Sequence, residues 1–356
     1  MTVNDTKYAE EWKQVGDYFC LLNMERKTPK RNFPISPDEN LRHILTGSKA
    51  VYMPSVDDML FFAPRIIPDN EVRVWSIEAD PLLPGDPAEG GPDMFGVEWE
   101  YVPQTMGSMV RPGNPKIKDI TRWEDDVTFP DLDKLDWEGS GKRNATLLAE
   151  NRLRRLSFLT GLNERLISLM DFDKVMMAYV DDEQKAGVHR FFDRLCTFYD
   201  DLLERYKKYY NCDIVMFNDD WGTQRGPQFS LATAREMLVP YMQRIAESCH
   251  KRGIYLELHC CGKNDILAPA IVESGVDIWK PQEINDFPLL YKLLGDKVVL
   301  CIPSEATPGM TDEECFECAI KFMDMYGKNG NVIINTMYPQ HPRIGEFLYY
   351  LSREAY

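Results

Sequence analysis

The amino-acid sequence predicts an α/β fold, a (β/α)8 TIM barrel built as a single domain over residues 1–356. From Arg155 onward, short apolar runs alternate with amphipathic segments of helix length, as in βα units that close a parallel sheet. The length of 356 residues suits one barrel with insertions. Residues 1–150 are irregular, and the Pro- and Gly-rich stretches at 80–96 and 110–115 predict long excursions there.

The irregular part contains few predicted elements. Helices are predicted over residues 9–23 and 39–47, and short strands over 50–53 and 72–77. The stretch DDVTFPDLDKLDW is acidic and interrupted by proline, and no flexible linker follows it. We therefore predict a connector at this stretch and not a domain boundary.

The regular part predicts a series of strands and helices. The apolar runs that predict strands are 156–159, 213–217, 254–260, 276–279, 298–302 and 332–335. Residues 232–252 have apolar positions at helical spacing, and Gly253 supplies a stop. Residues 311–326 predict another helix, because Thr311 stands at the cap position and Glu314 completes a capping box. This alternation favours a barrel over an open sheet.

Composition is typical of a folded globular protein and excludes several partners. Hydrophobic residues make up 44% and charged residues 28%, and no apolar run is long enough to span a bilayer. The first residues show no apolar segment behind a basic start, so we expect a cytoplasmic protein. The net charge of -16 predicts that neither nucleic acid nor a membrane is a partner. The cysteines form no regular framework, so we expect reduced thiols, either metal ligands or small buried side chains.

Polar side chains at the carboxyl ends of the predicted strands are the candidate site, because active sites of parallel barrels form there. The first such end, FNDDWGTQ, places Asp219 and Asp220 after an apolar strand. We predict acid–base roles for both, although adjacent acids also serve as helix caps or solvated loop residues. Phe217, Trp221 and Gln224 are predicted to contact the substrate, with core packing as the alternative for the aromatic rings.

The second strand end, IYLELHCCGKN, has one face rich in reactive side chains. Side chains alternate along a strand, so Glu257, His259 and Cys261 share one face while Cys260 lies on the other. Imidazole and thiolate both bind zinc, at about 2.0–2.3 Å, and neighbours on one face converge at a strand end. The pattern predicts zinc ligands at His259 and Cys261, or a buried histidine beside a packed cysteine.

Two further strand ends supply the remaining candidates. Trp279 and Glu283, in WKPQEIND, are predicted as a substrate contact and a catalytic carboxylate. Cys301, in VVLCIPSE, is the predicted third zinc ligand, because a catalytic zinc generally keeps three protein ligands and one open position. Packing within its strand is the alternative for Cys301, and Glu283 or Asp220 could replace it as ligand.

At these residues the chain resembles the uroporphyrinogen decarboxylase superfamily, in its corrinoid-dependent methyltransferase branch. The run FNDDWGTQRGPQFSLATAREMLVPYMQRI is similar to the superfamily pattern FDSWAG, LSP, F, PY and I, with matches at Asp219, Trp221, Pro240 and Tyr241. HCCG matches the HxCG element that supplies two zinc ligands in those methyltransferases. GPDMFGVEWEYV and WEDDVTFPDLDKLDW are similar to the O-demethylase branch of veratrol or vanillate type.

This resemblance implies a function in anaerobic one-carbon metabolism. It predicts a zinc-dependent methyltransferase that moves a methyl group from a methoxylated aromatic compound, an aryl methyl ether, to the cob(I)alamin of a partner corrinoid protein. Zinc, held by His259, Cys261 and Cys301, is expected to act as a Lewis acid on the ether oxygen. The chain lacks the DxHxxG motif of corrinoid-binding domains, so we expect the cobalamin to be carried by the partner.

Two departures from the family narrow this function. The arginine-rich amino-terminal motif of true decarboxylases, similar to RQAGR, is absent, so uroporphyrinogen decarboxylation is not expected. Members that methylate coenzyme M carry a zinc-binding Cys in a Gly-rich segment near the carboxyl end, and the matching stretch IINTMYPQHP has none. Its Tyr338 and His341 are candidate substrate contacts and, with Asp220 and Glu283, candidate proton donors. A thiol methyltransferase, a metal-free decarboxylase and a non-catalytic binder of a corrinoid protein are the alternative functions.

Overall fold

A computed structural model of the protein describes residues 6–18, 28–73, 76–79, 90–103, 107–327, 330–337 and 339–356. The chain divides into two units. The terminal unit comprises Met1–Leu60, Glu150–Leu153 and Asp277–Tyr356, and the central unit comprises Phe61–Ala149 and Arg154–Val276. No helix within the described ranges is long and apolar enough to cross a membrane.

Strands and helices alternate through the second half of the chain, as the following bounds show. The strands are β1 (Gln14–Tyr18), β2 (Thr28–Arg31), β3 (Met59–Phe62), β4 (Gly90–Pro92), β5 (Glu98–Val102), β6 (Gly107–Val110), β7 (Leu153–Phe158), β8 (Ile214–Asn218), β9 (Gly222–Thr223), β10 (Gly226–Pro227), β11 (Tyr255–Cys260), β12 (Ile278–Pro281), β13 (Val299–Pro303) and β14 (Val332–Asn335). The helices are α1 (Ala9–Trp12), α2 (Pro37–Leu45), α3 (Pro68–Val72), α4 (Trp137–Arg143), α5 (Ala145–Leu148), α6 (Leu162–Met170), α7 (Phe172–Ala178), α8 (Asp182–Tyr210), α9 (Leu231–Met237), α10 (Val239–His250), α11 (Ala268–Glu273), α12 (Phe287–Leu294), α13 (Asp312–Tyr326) and α14 (Ile344–Ala355).

The terminal unit contains the parallel strands β12, β13 and β14, with β13 between the other two. Ser55 adds a parallel bridge to Ile334 of β14, and β1 and β2 form a separate antiparallel pair. Outside the sheet, the ring of Phe33 stacks on Tyr349 of α14 at 4.7 Å and meets Tyr52 at 4.4 Å. Residues from both ends of the chain therefore share one aromatic cluster.

The central unit is built on the parallel strands β7, β8 and β11, with β8 in the middle. Every residue of β8 is buried, which is typical of parallel strands covered on both faces. The long helix α8 begins at the side-chain cap of Asp181 and ends at Asn211 in the left-handed conformation. Its Tyr199 contacts the rings of Phe158 and Phe217. Strands β4 to β6 form a small antiparallel sheet in the same unit, and β9 and β10 form a hairpin.

The α/β class with parallel strands that the sequence predicts is confirmed. Each apolar run predicted as a strand after residue 155 overlaps one of the parallel strands β7, β8 and β11 to β14. The predicted capping box of α13 is also present. Thr311 Oγ1 accepts a hydrogen bond from the Glu314 amide at 3.2 Å, and the Glu314 carboxylate accepts one from the Thr311 amide at 2.8 Å.

One helix of the regular part differs from its prediction. Residues 232–252 form two helices, α9 and α10, which meet at Leu238. The break accompanies Pro240, which lacks an amide hydrogen and therefore suits the first turn of a new helix better than a helix interior. The stop at Gly253 is confirmed, and its φ of 64° explains why glycine stands there.

Three predictions for the irregular part are wrong. The helix expected over 9–23 ends at Trp12, because the chain from Gln14 pairs with β2, and residues 19–23 lie outside the described ranges. No strand forms over 50–53. The strand expected over 72–77 does not form at its start, because residues 72 and 73 belong to the end of α3, which Pro68 and Asp69 start as favourable first-turn residues. Residues 74 and 75 lie outside the described ranges, and Ile77 forms an antiparallel bridge with Ala63. The helix over 39–47 is confirmed as α2.

Candidate active site

The carboxyl end of β11 brings two predicted zinc ligands together. His259 is the penultimate residue of β11, Cys261 follows its last residue, and both are partly exposed. His259 Nε2 and Cys261 Sγ lie 3.5 Å apart. Because side chains two apart on a strand point the same way, the imidazole and the thiol face one region of space.

The turn after Cys261 requires glycine. Gly262 has a φ of 88°, and a Cβ atom on it would lie 2.2 Å from the carbonyl carbon of Gly222. Asn264 Nδ2 donates to the Cys261 carbonyl at 2.8 Å, and the Trp221 amide donates to Cys260 Sγ at 3.2 Å. The HCCG segment is thereby held against the loop that follows β8.

Asp220 stands beside this pair. Its Oδ1 accepts a hydrogen bond from the Cys261 amide at 2.7 Å, and its side chain is partly exposed. The Asp220 carbonyl accepts a hydrogen bond from Asn163 Nδ2 at 2.7 Å, which fixes the loop. The carboxylate thus orients the backbone of Cys261 and lies next to the thiol.

Asp219, by contrast, is fully buried and engaged in structural hydrogen bonds. Its carboxylate accepts from the Glu164 amide at 2.9 Å and from Trp221 Nε1 at 2.8 Å. Burial raises the pKa of Asp219 to about 7, although these hydrogen bonds lower it. Asp219 therefore caps the first turn of α6 and orients the indole of Trp221.

Two charged residues of this region were not predicted from the sequence. Glu164 lies in the first turn of α6, and Arg73 Nη1 is 3.1 Å from its Oε2. Burial raises the pKa of Glu164 to about 8, with Arg73 opposing the shift and the Asp220 carboxylate adding to it. The sequence did contain a signal, because α6 follows β7 closely and polar residues past a strand end are candidate site residues.

The surroundings of the Cys261 thiol oppose its deprotonation. Burial raises the pKa of Cys261, the carboxylates of Asp220 and Glu164 raise it further, and Arg73 lowers it. A thiolate at this position therefore needs a nearby positive charge. A divalent cation would supply that charge and keep the thiol deprotonated.

The spacing of His259 and Cys261 also fits zinc. Two ligands of one tetrahedral zinc, with a Zn–S distance of about 2.3 Å and a Zn–N distance of about 2.0 Å, lie about 3.5 Å apart. Within the described part of the chain, no three His, Cys, Asp or Glu side chains form a complete metal-binding group. Cys301 is buried in β13 of the terminal unit, and its role as third ligand stays a prediction.

Glu257, on the same strand face, already has a partner. Arg155 of β7 binds it through two hydrogen bonds, and both side chains are almost completely buried. A buried carboxylate paired in this way is costly to separate from its cation. We therefore assign Glu257 to the interior of the central unit and not to the metal.

Three predicted aromatic contacts lie among the described residues and are buried: Phe217, Trp221 and Trp279. Phe217 contacts Phe158 at 5.2 Å, and Trp221 has its indole nitrogen bonded to Asp219. Trp279, in β12 of the terminal unit, is also buried, and its Nε1 has no hydrogen-bond partner among the described residues. Gln224 is exposed between β9 and β10. Their roles in substrate binding stay predictions.

The other predicted residues follow β12 and β14 in the terminal unit. Glu283 is exposed, and burial still raises its pKa while Lys280 lowers it. His341 is buried and lines a cavity of about 220 Å³. Tyr338 lies outside the described residues.

Solved structures with a similar fold include a methyltransferase from Methanosarcina mazei, with a TM-score of 0.59, 14% sequence identity, and coverage of 90% of this chain and 98% of that one. A D-psicose 3-epimerase from Clostridium cellulolyticum matches at a TM-score of 0.34 and 10% identity over 61% of this chain and 81% of its own. A sugar phosphate isomerase/epimerase from Parabacteroides distasonis matches at a TM-score of 0.34 and 10% identity over 65% and 81%.

The likeness to the Methanosarcina mazei protein extends over nearly all of both chains and shows a shared fold. A search of curated protein sequences finds no match. The family model described as uroporphyrinogen decarboxylase (URO-D) matches residues 91–301, more than half of the chain. The predicted uroporphyrinogen-decarboxylase-like TIM-barrel fold is thereby confirmed. The chain belongs to the uroporphyrinogen decarboxylase (URO-D) family.

Proposed function

We propose that this protein is a zinc-dependent methyltransferase that takes a methyl group from an aryl methyl ether and passes it to the cob(I)alamin of a partner corrinoid protein. The observation that carries the proposal is the 3.5 Å separation of His259 Nε2 and Cys261 Sγ beside the Asp220 carboxylate. The fold shared with a methyltransferase supports the class of reaction. The resemblance of HCCG to the HxCG element supports zinc and the corrinoid partner.

In this proposal, His259 and Cys261 hold the zinc, with Cys301 as the predicted third ligand and Asp220 as the alternative. Bound zinc supplies a Lewis acid for the ether oxygen and makes the phenolate a better leaving group. Contacts within the protein position the two proposed ligands without the metal. Gly262 permits the close turn after Cys261, and the hydrogen bond from the Cys261 amide to Asp220 fixes the position of the thiol.

Asp220 is the proposed proton donor to the departing phenolate. Its Oδ1 accepts a hydrogen bond from the Cys261 amide, and in this role Asp220 takes up a proton from solvent before the methyl transfer and then donates it. The bond between the ether oxygen and the methyl carbon breaks, and the electron pair of the partner's cob(I)alamin forms the new bond to that carbon. The proton of Asp220 ends on the phenolic oxygen, so the products are a phenol and a methylated corrinoid.

Elemental analysis followed by turnover tests this function. We expect the wild-type protein to bind zinc stoichiometrically and to demethylate guaiacol with free cob(I)alamin as acceptor. Cys261→Ala should lose the zinc and, with it, roughly 100-fold or more of the activity, because the Lewis acid is removed. Cys318→Ala is the matched control, since Cys318 is a partly exposed thiol of α13 in the terminal unit and should leave both readouts unchanged.

Three outcomes would contradict the proposal. Zinc retained at full occupancy in Cys261→Ala would exclude Cys261 as a ligand. Full activity of zinc-free wild-type protein would exclude metal dependence. Methylation of thiol acceptors by a methylated cobamide, with methoxyarenes inert, would assign a thiol methyltransferase instead.

A further inference from the structure

The outer face of α7 presents large apolar side chains to solvent. Phe172 is 46% exposed and Met177 is 61% exposed, and Val180, just past the helix, is 60% exposed. The amides of Val180 and Asp181 both donate to the Met177 carbonyl at 3.0 Å, so the helical turn continues through Val180. Phe172, Met176 and Val180 are spaced by four residues and share one row, with Met177 beside them. We call these four residues the α7 stripe.

The opposite face of α7 is packed inside the central unit. Val175, Ala178 and Tyr179 are buried there, as expected for an amphipathic helix. The α7 stripe therefore contributes little to holding the helix in place. Large apolar side chains grouped on a protein surface mark a contact with another molecule. Phenylalanine and methionine are enriched in protein–protein interfaces, and the flexible methionine side chain adapts to the shape of a partner.

The α7 stripe ends beside the candidate active site. Tyr179, the neighbour of Val180, donates its hydroxyl hydrogen to Asn163 Oδ1 at 2.8 Å. Asn163 Nδ2 donates to the Asp220 carbonyl at 2.7 Å, and Asp220 Oδ1 accepts from the Cys261 amide at 2.7 Å. These consecutive hydrogen bonds lie within the central unit and join the end of the stripe to the loop that carries Cys261. A molecule that covers the stripe therefore lies next to the proposed zinc ligands.

Carboxylates border the α7 stripe. Asp173 is exposed on α7, where Lys174 is the exposed cation, and Asp182 and Glu183 are exposed in the first turn of α8. Because like charges repel, these carboxylates and the net charge of -16 disfavour a second copy of this chain as the partner. They favour a protein whose contact surface is apolar at its centre and basic at its edge.

We propose that the α7 stripe is the docking surface for the partner corrinoid protein, which contacts it through an apolar patch edged with lysine or arginine. This inference rests on the proposed function, in which cobalt must come within bonding distance of a methyl carbon near His259 and Cys261. A cofactor held by a carrier protein reaches that carbon only if the carrier binds the surface around these ligands. The stripe thus determines the affinity for the carrier protein and not the rate of bond breaking.

Kinetics with two methyl acceptors test this surface in the full-length protein. The acceptors are free cob(I)alamin and a purified, cobalamin-loaded corrinoid protein of an aryl ether O-demethylase. The double variant Met177→Glu/Val180→Glu should raise the KM for the corrinoid protein by roughly tenfold or more, because two charged groups would be buried at the contact. Its turnover of free cob(I)alamin should be unchanged. Met325→Glu, at an exposed methionine of α13 in the terminal unit, is the matched control and should change neither value.

Binding measured without turnover separates this surface from the proposed methyl transfer. Biolayer interferometry should show that wild type and Cys261→Ala bind the corrinoid protein and that the double variant does not. The docking surface is overturned if wild type does not bind, or if the double variant binds as wild type does. Binding lost in the double variant, with no turnover of either acceptor by wild type, would support the surface and contradict only the proposed function.

Sedimentation velocity of the protein alone tests the other occupant. We expect wild type and the double variant Met177→Glu/Val180→Glu to sediment alike. A wild-type dimer that this variant dissociates would assign the α7 stripe to a second copy of the chain and overturn the proposal.

Discussion

At the scale of single residues, the buried acidic side chains differ in how well their charge is stabilised. Glu257 forms two hydrogen bonds with the guanidinium of Arg155. Asp58 has mainly the hydrogen bond from the Ser55 amide, and burial raises its pKa to about 7. Such a carboxyl prefers the neutral form in the folded protein.

Asp58 should therefore make the free energy of unfolding depend on pH. The unfolded pKa of 3.8 lies below the folded value of about 7, so the folded state binds more protons between these values. Stability is then fully present below about pH 4 and is lost as the pH rises toward 7, by roughly 2–4 kcal/mol for this one group. Urea unfolding measured from pH 5 to pH 8 gives the slope of the unfolding free energy against pH. Asp58→Asn should remove the contribution of Asp58 to this slope.

Asparagine keeps an oxygen that can accept from the Ser55 amide, so Asp58→Asn tests the charge and not the capping box. Glu10→Gln is the control, because Glu10 is exposed and its loss should leave the slope unchanged. An unaltered pH slope in Asp58→Asn would exclude Asp58 as its source.

At the scale of elements, the conformation of the chain just after β11 requires a close approach between the backbone at Gly262 and the backbone at Gly222. Gly262 has a positive φ, and its missing side chain lets the HCCG turn lie against Gly222 after β8. The proposed ligands His259 and Cys261 are therefore positioned by a packing contact between two loops of the central unit. Neither strand alone would place the thiol.

Gly262→Ala should destabilise the protein and weaken metal binding together. The added Cβ would lie 2.2 Å from the Gly222 carbonyl carbon, and alanine disfavours a φ of 88°. The left-handed backbone costs about 1–2 kcal/mol and the steric conflict about 1–3 kcal/mol, so we expect a loss of roughly 2–4 kcal/mol in urea unfolding. Zinc occupancy should fall because the shift moves Cys261.

Gly309→Ala is the matched glycine control. Nothing lies within 4 Å of the place its Cβ would occupy, and its φ is not positive. We expect no loss of stability there, since alanine only restricts the unfolded chain. Equal stabilities of Gly262→Ala and Gly309→Ala would show that the close approach at Gly262 is not rigid.

At the scale of the whole molecule, both ends of the chain fold into the terminal unit. Trp12 of α1 meets Tyr349 of α14 at 5.3 Å and Phe33 at 5.9 Å. The Glu11 carboxylate accepts a hydrogen bond from the Arg353 guanidinium at 2.8 Å. The contacts of Trp12 with Tyr349 and of Glu11 with Arg353 join residues more than 300 positions apart, so they form only in the folded chain.

Trp12→Ala should lower the free energy of unfolding by roughly 2–3 kcal/mol, because it removes a large, partly buried ring from the aromatic cluster. Urea unfolding followed by circular dichroism measures this loss, and hydrogen exchange should show reduced protection of α14. Trp12→Phe keeps a ring against Tyr349, so its loss of unfolding free energy should be about half of the loss in Trp12→Ala. An Ala variant as stable as wild type would show that the cluster does not hold the two ends together.

Much of this protein is determined by the sequence alone, because it depends on neighbours along the chain. Strand periodicity placed His259 and Cys261 on one face, and the spacing of Thr311 and Glu314 predicted the start of α13. The parallel strands of the second half follow from their apolar runs in the same way. Local patterns failed mainly at the amino terminus, where pairing with β2 overrode the helical periodicity that continued past Trp12.

The tertiary structure alone decided which distant residues became neighbours. Glu164 and Arg73 approach the thiol of Cys261 from separate segments, and no local pattern links them to it. The burial of the Tyr52 hydroxyl without a hydrogen-bond partner among the described residues is likewise visible only in the folded chain. The physical reason is that hydrogen bonds and charges act over a few ångströms in space, whereas the sequence records only distance along the chain.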